Sequence, residues 1–213
     1  MTVESPPTRA HWVDTRLRRE IISGALPPGT KLRAEHLAET LGVSPTPLRE
    51  AFQRLAGEGL VVIEPQRGAR VAPIDQHDAL ELYDLRIVLE PLAMQESMAH
   101  TDAQHRDEVD AAYARLSGPF DDLAAALEAH REFHLVLLGR CPNRRMLALI
   151  GSLHDQSERY QAVGTITTPD HPLAESHREL YDVFTSGEGA RMAALVEQHL
   201  RHARERIAAA VVA

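Results

Sequence analysis

The sequence predicts a mainly α protein in two parts: three helices and a small β-hairpin in front, and an all-helical segment behind. Three observations predict it. Gly and Pro cut residues 14–73 into pieces the length of helices and strands. From residue 76 onward apolar residues recur at helical spacing, and no period-2 run occurs. Charge divides at the same place. Residues 1–73 carry 10 Lys+Arg against 8 Asp+Glu, whereas residues 74–213 carry 13 against 23. A mildly basic front permits contact with DNA, and an acidic back argues against it there.

The first helix is expected over 14–24, where Leu17, Ile21 and Ile22 form one apolar face that ends at Gly24. The preceding Ser-Pro-Pro content reads as a short frayed tail. Pro27-Pro28-Gly29 forces a turn. A second helix over 34–41 buries Leu37, Ala38 and Leu41 and stops at Gly42. Ser44 suits an N-cap and Pro45 the first helical position. The third helix follows, with Leu48, Ala51, Phe52 and Leu55 on its buried face and Gly59 at its end. Residues 60–64 and 69–71 then read as two strands around Pro65-Gln66-Arg67-Gly68.

Helix, helix, tight turn, helix, hairpin is the order of a winged helix-turn-helix, assigned to residues 8–73. A short Gly turn lets the third helix enter a major groove by its N-terminal end, with the hairpin as a wing on the flanking backbone. Ser44, Thr46 and Arg49 lie at that end. There the helix dipole and free N–H groups favour phosphate, and an arginine can bond guanine bidentately. The alternative is that Arg49 pairs only with Glu50 or Glu58 on a solvated face.

Residues 17–71, LRREIISGALPPGTKLRAEHLAETLGVSPTPLREAFQRLAGEGLVVIEPQRGARV, resemble the DNA-binding domain of the GntR family, matching its Gly, Pro, Arg and Leu positions almost without gaps. The resemblance implies DNA contacts from Arg33, Ser44, Thr46 and Arg49, and from the wing residues Gln66, Arg67 and Gly68. One position departs: the family usually carries Arg after the serine, and here Pro45 stands there. That removes a base or phosphate contact and implies a different operator or affinity.

Behind residue 76, helices are expected over 76–100, 104–117, 120–140, 142–163, 170–187 and 188–211, giving a second domain over 76–211. Histidines carry the information. One stripe runs Leu123, Leu127, His130, His134, Leu137, with steps of four and three that put both histidines on the buried face. A second stripe holds His177 with Leu173, Leu180 and Phe184, and a third holds His199 with Met192, Val196 and Ala203. Imidazoles buried among apolar side chains need partners for their nitrogens, and a shared divalent metal supplies them together. His154 lies one turn off its stripe, as a candidate to stand behind such a site. His36, His77, His100 and His105 read as surface residues.

Residues 78–206 resemble the FCD ligand-sensing domain of the FadR-type branch of that family. The matching pieces are LYDLRIVLEPLA, then AHREFHLVLL and CPN, then ESHRELYDVFTSGEGARMAALVEQHL. The resemblance implies an antiparallel helical bundle, a homodimer, and a metal held by one Asp and three His with a small carboxylate effector completing the coordination. His134, His177 and His199 match the three histidines, and His130 occupies the Asp position. Four neutral nitrogens favour Zn²⁺ or Ni²⁺ over harder ions. Alternatively His130 is displaced and three histidines hold the metal. Arg86 matches an arginine that reads either as a carboxylate anchor or as an i, i+4 bridge to Glu90. Asn143, Arg159 and Tyr160 are further candidates to line the effector cavity.

These readings describe a regulator of transcription, most simply a repressor, with an activator as the alternative. Its dimer would bind a pseudo-palindromic operator in double-stranded DNA. A metal that is structural, or is itself the signal, is the second reading. A metal-dependent enzyme is the third. No general base accompanies the histidines, and that reading leaves the winged helix unexplained. No apolar run reaches the roughly 18–20 residues of a membrane span, the N-terminus lacks a secretory pattern, and the single Cys141 cannot form an intrachain disulfide. Cytoplasm is the expected compartment.

Overall fold

The computed structural model describes residues 9–65, 68–167 and 173–212. The elements run α1 (Arg9–Ile22), β1 (Lys31–Leu32), α2 (Ala34–Leu41), α3 (Pro45–Gly57), β2 (Val61–Glu64), β3 (Gly68–Val71), α4 (Gln76–Ala99), α5 (Ala103–Leu116), α6 (Leu123–Leu137), α7 (Arg144–Thr167), α8 (Leu173–Ser186) and α9 (Gly189–Val212). They fall into two units, Met1–Pro73 and Ile74–Ala213.

In the first unit α1 and α2 both pack on α3, around the fully buried Val13, Leu17, Leu48, Ala51 and Leu55. The helix α1 begins at Arg9, five residues before the expected start. Val13 supplies the reason. With Leu17 and Ile21 it extends the apolar stripe one turn toward the N-terminus, so burial carries the helix through His11 and Trp12. Gly42 ends α2 at φ 65, and its N–H bonds the Ala38 carbonyl. That left-handed cap favours glycine.

The expected hairpin is present as β2 and β3, paired antiparallel from Val61↔Val71 to Glu64↔Gly68. It gains a third member. Lys31 and Leu32 pair with Arg70 and Ala69, giving a sheet in the order β1-β3-β2. A two-residue strand is too short to show alternation, so only the closed structure reveals it. Gly29 N–H and Thr30 C=O bond the two polar backbone groups of Val71, which fixes the turn before β1 against the wing.

In the second unit α4 packs along α9 and α7, α5 packs on α6 and α8, and α6 and α9 both meet α7. Val109, Phe133, Ile150, Phe184, Met192 and Leu200 are at most 1% exposed at its core. Asp75, Asp102 and Asp122 each accept a backbone N–H three residues ahead, at 3.0, 2.7 and 2.8 Å. Asn143 does the same for Met146 at 3.1 Å. These caps satisfy otherwise orphaned N–H groups and set where the helices begin. The Asp122 cap is why α6 starts at Leu123 and not at 120.

His36, His77 and His100 are exposed, as expected. His105 corrects the sequence reading. It is fully buried, its Nε2 lies 2.7 Å from the Val136 carbonyl, and its Nδ1 lies 3.1 Å from Thr101 Oγ1. It stands edge-on to Phe184 at 5.2 Å. A satisfied imidazole packs as an ordinary core side chain.

Candidate metal centre and nucleic-acid interface

The N-terminal unit presents its polar groups along a groove of about 600 Å³ lined by Lys31, Arg33, Glu35, Arg49, Gln53 and Gly68, among others. Ser44 caps α3 in extended conformation, and its hydroxyl makes no cap bond, so Ser44 and Thr46 present exposed hydroxyls at the helix start. Pro45 fills the first helical position. Arg49 takes neither Glu50 nor Glu58 as partner. Its Nη2 donates to Glu35 Oε1 at 2.8 Å, whereas Glu58 accepts from Arg18. Arg49 and Glu35 are 66% and 69% exposed, so water screens the pair and exchange for a DNA partner costs little. Gly68 opens β3 at φ 92. Gln66 and Arg67 lie outside the described residues. Gln53, one turn beyond Arg49 on the same face, and Lys31 are groove residues that the sequence reading missed. The i, i+4 spacing from Arg49 was the available signal for Gln53.

The second unit brings four histidines together. His130 and His134 stand one turn apart on α6, His177 comes from α8, and His199 comes from α9. His177 Nε2 lies 3.0 Å from the Nε2 atoms of both His130 and His134. One nitrogen from each of the four lies within 4.8 Å of every other. The His199 ring is 4.6 Å from that of His177 and 5.3 Å from that of His134, centre to centre. Four nitrogens around a tetrahedral ion with bonds of about 2.05 Å would stand about 3.3 Å apart. Two of the separations, at 3.0 Å, are close to that spacing, and none exceeds 4.8 Å.

The charge state fits as well. Burial pushes His130, His134 and His199 well below the ordinary imidazole range, and the surrounding imidazoles push the same way. Neutral imidazoles offer lone pairs to a metal without first losing a proton. His130 Nδ1, the ring nitrogen away from the cluster, is buried with no hydrogen-bond partner among the described residues.

Behind the cluster lies a buried ionic network. Arg86 Nε donates to Glu90 Oε1 at 2.6 Å, and its Nη1 donates to Ser157 Oγ at 3.1 Å. His154 is buried, with Nε2 at 3.0 Å from Arg86 Nη2 and 3.1 Å from Glu90 Oε1. Its ring stands 5.6 Å from His134. Burial alone would raise the Glu90 carboxyl, but the Arg86 guanidinium and His154 outweigh it and hold Glu90 at about 2. The i, i+4 bridge from Arg86 to Glu90 is formed.

A cavity of about 20 Å³ adjoins the cluster, and His130, His134, His199 and Arg86 all line it. That is room for about one water. Tyr83, Gln161 and Arg206 also line it, and the sequence reading missed all three. Arg206 had a legible signal, since it continues the stripe of His199 and Ala203. The other expected cavity residues are not among its lining. Asn143 caps α7, while Arg159 and Tyr160 gather on Asp78 in the first turn of α4.

Comparison with known proteins agrees with both halves. Residues 10–71 match the model of the bacterial regulatory proteins, gntR family, and residues 81–202 match that of the FCD domain. The HTH-type transcriptional regulator BphR of Paraburkholderia xenovorans is 30% identical over 194 residues, covering 87% of this chain and 79% of the relative. The HTH-type transcriptional repressor GlaR of Escherichia coli is 26% identical, covering 86% and 89%. The crystal structure of a putative GntR regulator from Rhodococcus sp. RHA1 superposes with a TM-score of 0.66 at 28% identity, covering 96% of this chain and 97% of that one. Among the described residues no helix is long and apolar enough to cross a membrane. The chain belongs to the gntR family of DNA-binding transcription regulators, with a C-terminal FCD domain.

Proposed function

We propose that this regulator is a repressor whose operator affinity is set by a small carboxylate effector, bound at a divalent metal on His130, His134, His177 and His199. The observation that carries the reading is the convergence of four imidazoles from three helices within 4.8 Å, three of them buried. A donor set of nitrogen alone suits Zn²⁺ or Ni²⁺. The ion would supply a Lewis-acidic position for the effector's carboxylate. Repression follows the naming of relatives such as GlaR. Arg33, Ser44, Thr46, Arg49 and the wing from Gln66 to Gly68 contact DNA in this reading. A homodimer presents two α3 helices to a pseudo-palindromic operator. Leu85, Val88 and Leu92, exposed at i, i+3 and i+7 on α4, offer an apolar stripe to a second copy.

Effector binding changes DNA affinity only if it favours one state of the protein over another. Calorimetry tests the anchor. Zn²⁺-loaded and chelated protein are titrated with acetate, lactate, succinate and citrate. At least one acid is expected to bind the loaded protein tenfold or more tightly than the chelated one. Equal binding to both would assign the metal a structural or signalling role.

A further inference from the structure

The groove of the N-terminal unit is lined by the chain from β1 into α2, by the exposed face of α3 and by the wing. Three of its polar side chains stand apart. Lys31, Arg33 and Gln53 are exposed, and none has a hydrogen-bond or ion-pair partner among the described residues. The acids of the groove are both taken. Glu35 accepts from Arg49 at 2.8 Å, and Glu64 pairs with Arg70 at 2.7 Å. The uncompensated charge of the groove is therefore that of Lys31 and Arg33.

The place of Lys31 works against the sheet that holds it. Lys31 lies directly across from Arg70 in the register of β1 on β3, and like charges so placed destabilise a strand pair. Glu64 relieves Arg70 and leaves Lys31 unrelieved. Arg33 has extended backbone, φ −95 and ψ 112. Alternation therefore puts Lys31 and Arg33 on one side of the chain and the buried Leu32 on the other. Gln53 stands one turn beyond Arg49 on α3, so the groove continues the face that carries Arg49. That continuity names the occupant. With the start of α3 in a major groove and the wing on the flanking backbone, one sugar-phosphate strand has to pass between them. Base edges are met at the start of α3, and Gln53 lies about 10 Å further along the helix than Thr46, at about 1.5 Å per residue.

We infer that this groove seats one sugar-phosphate strand of the bound duplex, with Lys31 of β1 and Gln53 of α3 as phosphate contacts beyond the DNA-binding residues named above. Lys31 brings a charge and displaces a counterion. Gln53 donates an amide N–H to a phosphate oxygen without adding charge. Contacts of this kind fix register and orientation on the duplex and carry no sequence information. The two residues therefore set affinity and salt dependence, and the start of α3 sets the choice of operator.

The inference rests on the reading that α3 and the wing meet DNA, and Arg49→Ala keeps the two apart. Wild type, Lys31→Met, Lys31→Arg, Gln53→Leu and Arg49→Ala are titrated by fluorescence anisotropy over a range of salt concentrations. Two labelled duplexes are used, the protein's own upstream region and a scrambled duplex of the same composition. Lys31→Met is expected to flatten the slope of log affinity against log salt by about 0.9, and to cost about tenfold at about 50 mM salt, on both duplexes. It should melt no lower than wild type, because it removes a like-charge pair. Lys31→Arg is expected to keep the slope. Gln53→Leu is expected to lose about two- to tenfold on both duplexes at an unchanged slope. A wild-type slope in Lys31→Met, or wild-type affinity in Gln53→Leu, overturns the inference while a weakened Arg49→Ala leaves the DNA reading intact. A loss confined to the upstream duplex in either variant also overturns it, since that side chain would then read bases. An Arg49→Ala indistinguishable from wild type, or a wild type that binds neither duplex, overturns both.

Discussion

Replacing Glu90 with alanine is expected to destabilise the C-terminal unit by about 3–5 kcal/mol, the cost of leaving a buried charge without its partner. Arg86 and Glu90 are 1% and 2% exposed, so water cannot take the place of the lost carboxylate. Ser157 and His154 remain near the guanidinium, but neither is an anion. Glu90→Gln keeps the shape and loses the charge, and is expected to fall between wild type and alanine. Arg86→Met combined with Glu90→Leu removes both charges and is expected to recover most of the loss, because apolar side chains can fill the same space. Urea denaturation of chelated protein measures all four. The pH dependence has a defined sign. The folded carboxyl sits at about 2, below its ordinary 4.5. Its contribution is therefore complete above pH 4.5 and is lost as pH falls toward 2. A loss below about 1 kcal/mol in Glu90→Ala would show that the pair does not carry the burial of this network.

In the proposed metal centre, His134→Ala and His177→Ala are each expected to reduce retention of added Zn²⁺ or Ni²⁺ to near zero, read by mass spectrometry after dialysis against metal-free buffer. His177 Nε2 stands 3.0 Å from two other ring nitrogens, and the His134 ring has neighbours on α6, α8 and α9, so each lies at the middle of the cluster. His130→Ala leaves three imidazoles, the donor number of many catalytic zinc sites, and is expected to retain metal at reduced affinity. His130→Asp exchanges a neutral nitrogen for a charged oxygen and is expected to shift preference toward harder ions such as Mn²⁺. Because burial holds these imidazoles well below their ordinary range, the chelated protein should also weaken as pH falls below 6.5. There the unfolded chain takes up protons that the folded one refuses. Full metal in both His134→Ala and His177→Ala would remove the centre.

The parts of this molecule that were legible in the sequence are those written in periodicity. His130 and His134 fall on a stripe with Leu127 and Leu137, and one helix wheel is enough to see it. His177 and His199 fall on stripes of their own, and the shared bundle interior does the rest. The start of α3 was legible because Ser44, Pro45 and Gly42 each have a backbone reason to be there. What stayed hidden depends on pairing across the chain. Lys31 and Leu32 become a strand only because Arg70 and Ala69 offer an edge. The partners of Arg86 include Ser157, 71 residues away, and no spacing rule reaches that far. His105 was within reach, since it shares a helical stripe with Val109, Ala112 and Leu116, but its carbonyl partner Val136 sits on another helix. Arg206 was within reach, one step further along a stripe already drawn.

The central claim is that a carboxylate at the histidine cluster controls the grip of the N-terminal unit on DNA. The most direct measurement is fluorescence anisotropy of a labelled duplex carrying the protein's own upstream region, at one fixed salt concentration because phosphate contacts are salt-sensitive. Zn²⁺-loaded and chelated protein are each titrated with and without the best-binding acid. Arg49→Ala serves as the DNA-side control and is expected to lose about ten- to a hundredfold in affinity in every condition. The account predicts that the acid weakens duplex binding by about 5–150-fold in the loaded protein and has little effect after chelation. The same duplex affinity with and without the acid in the loaded protein would contradict it.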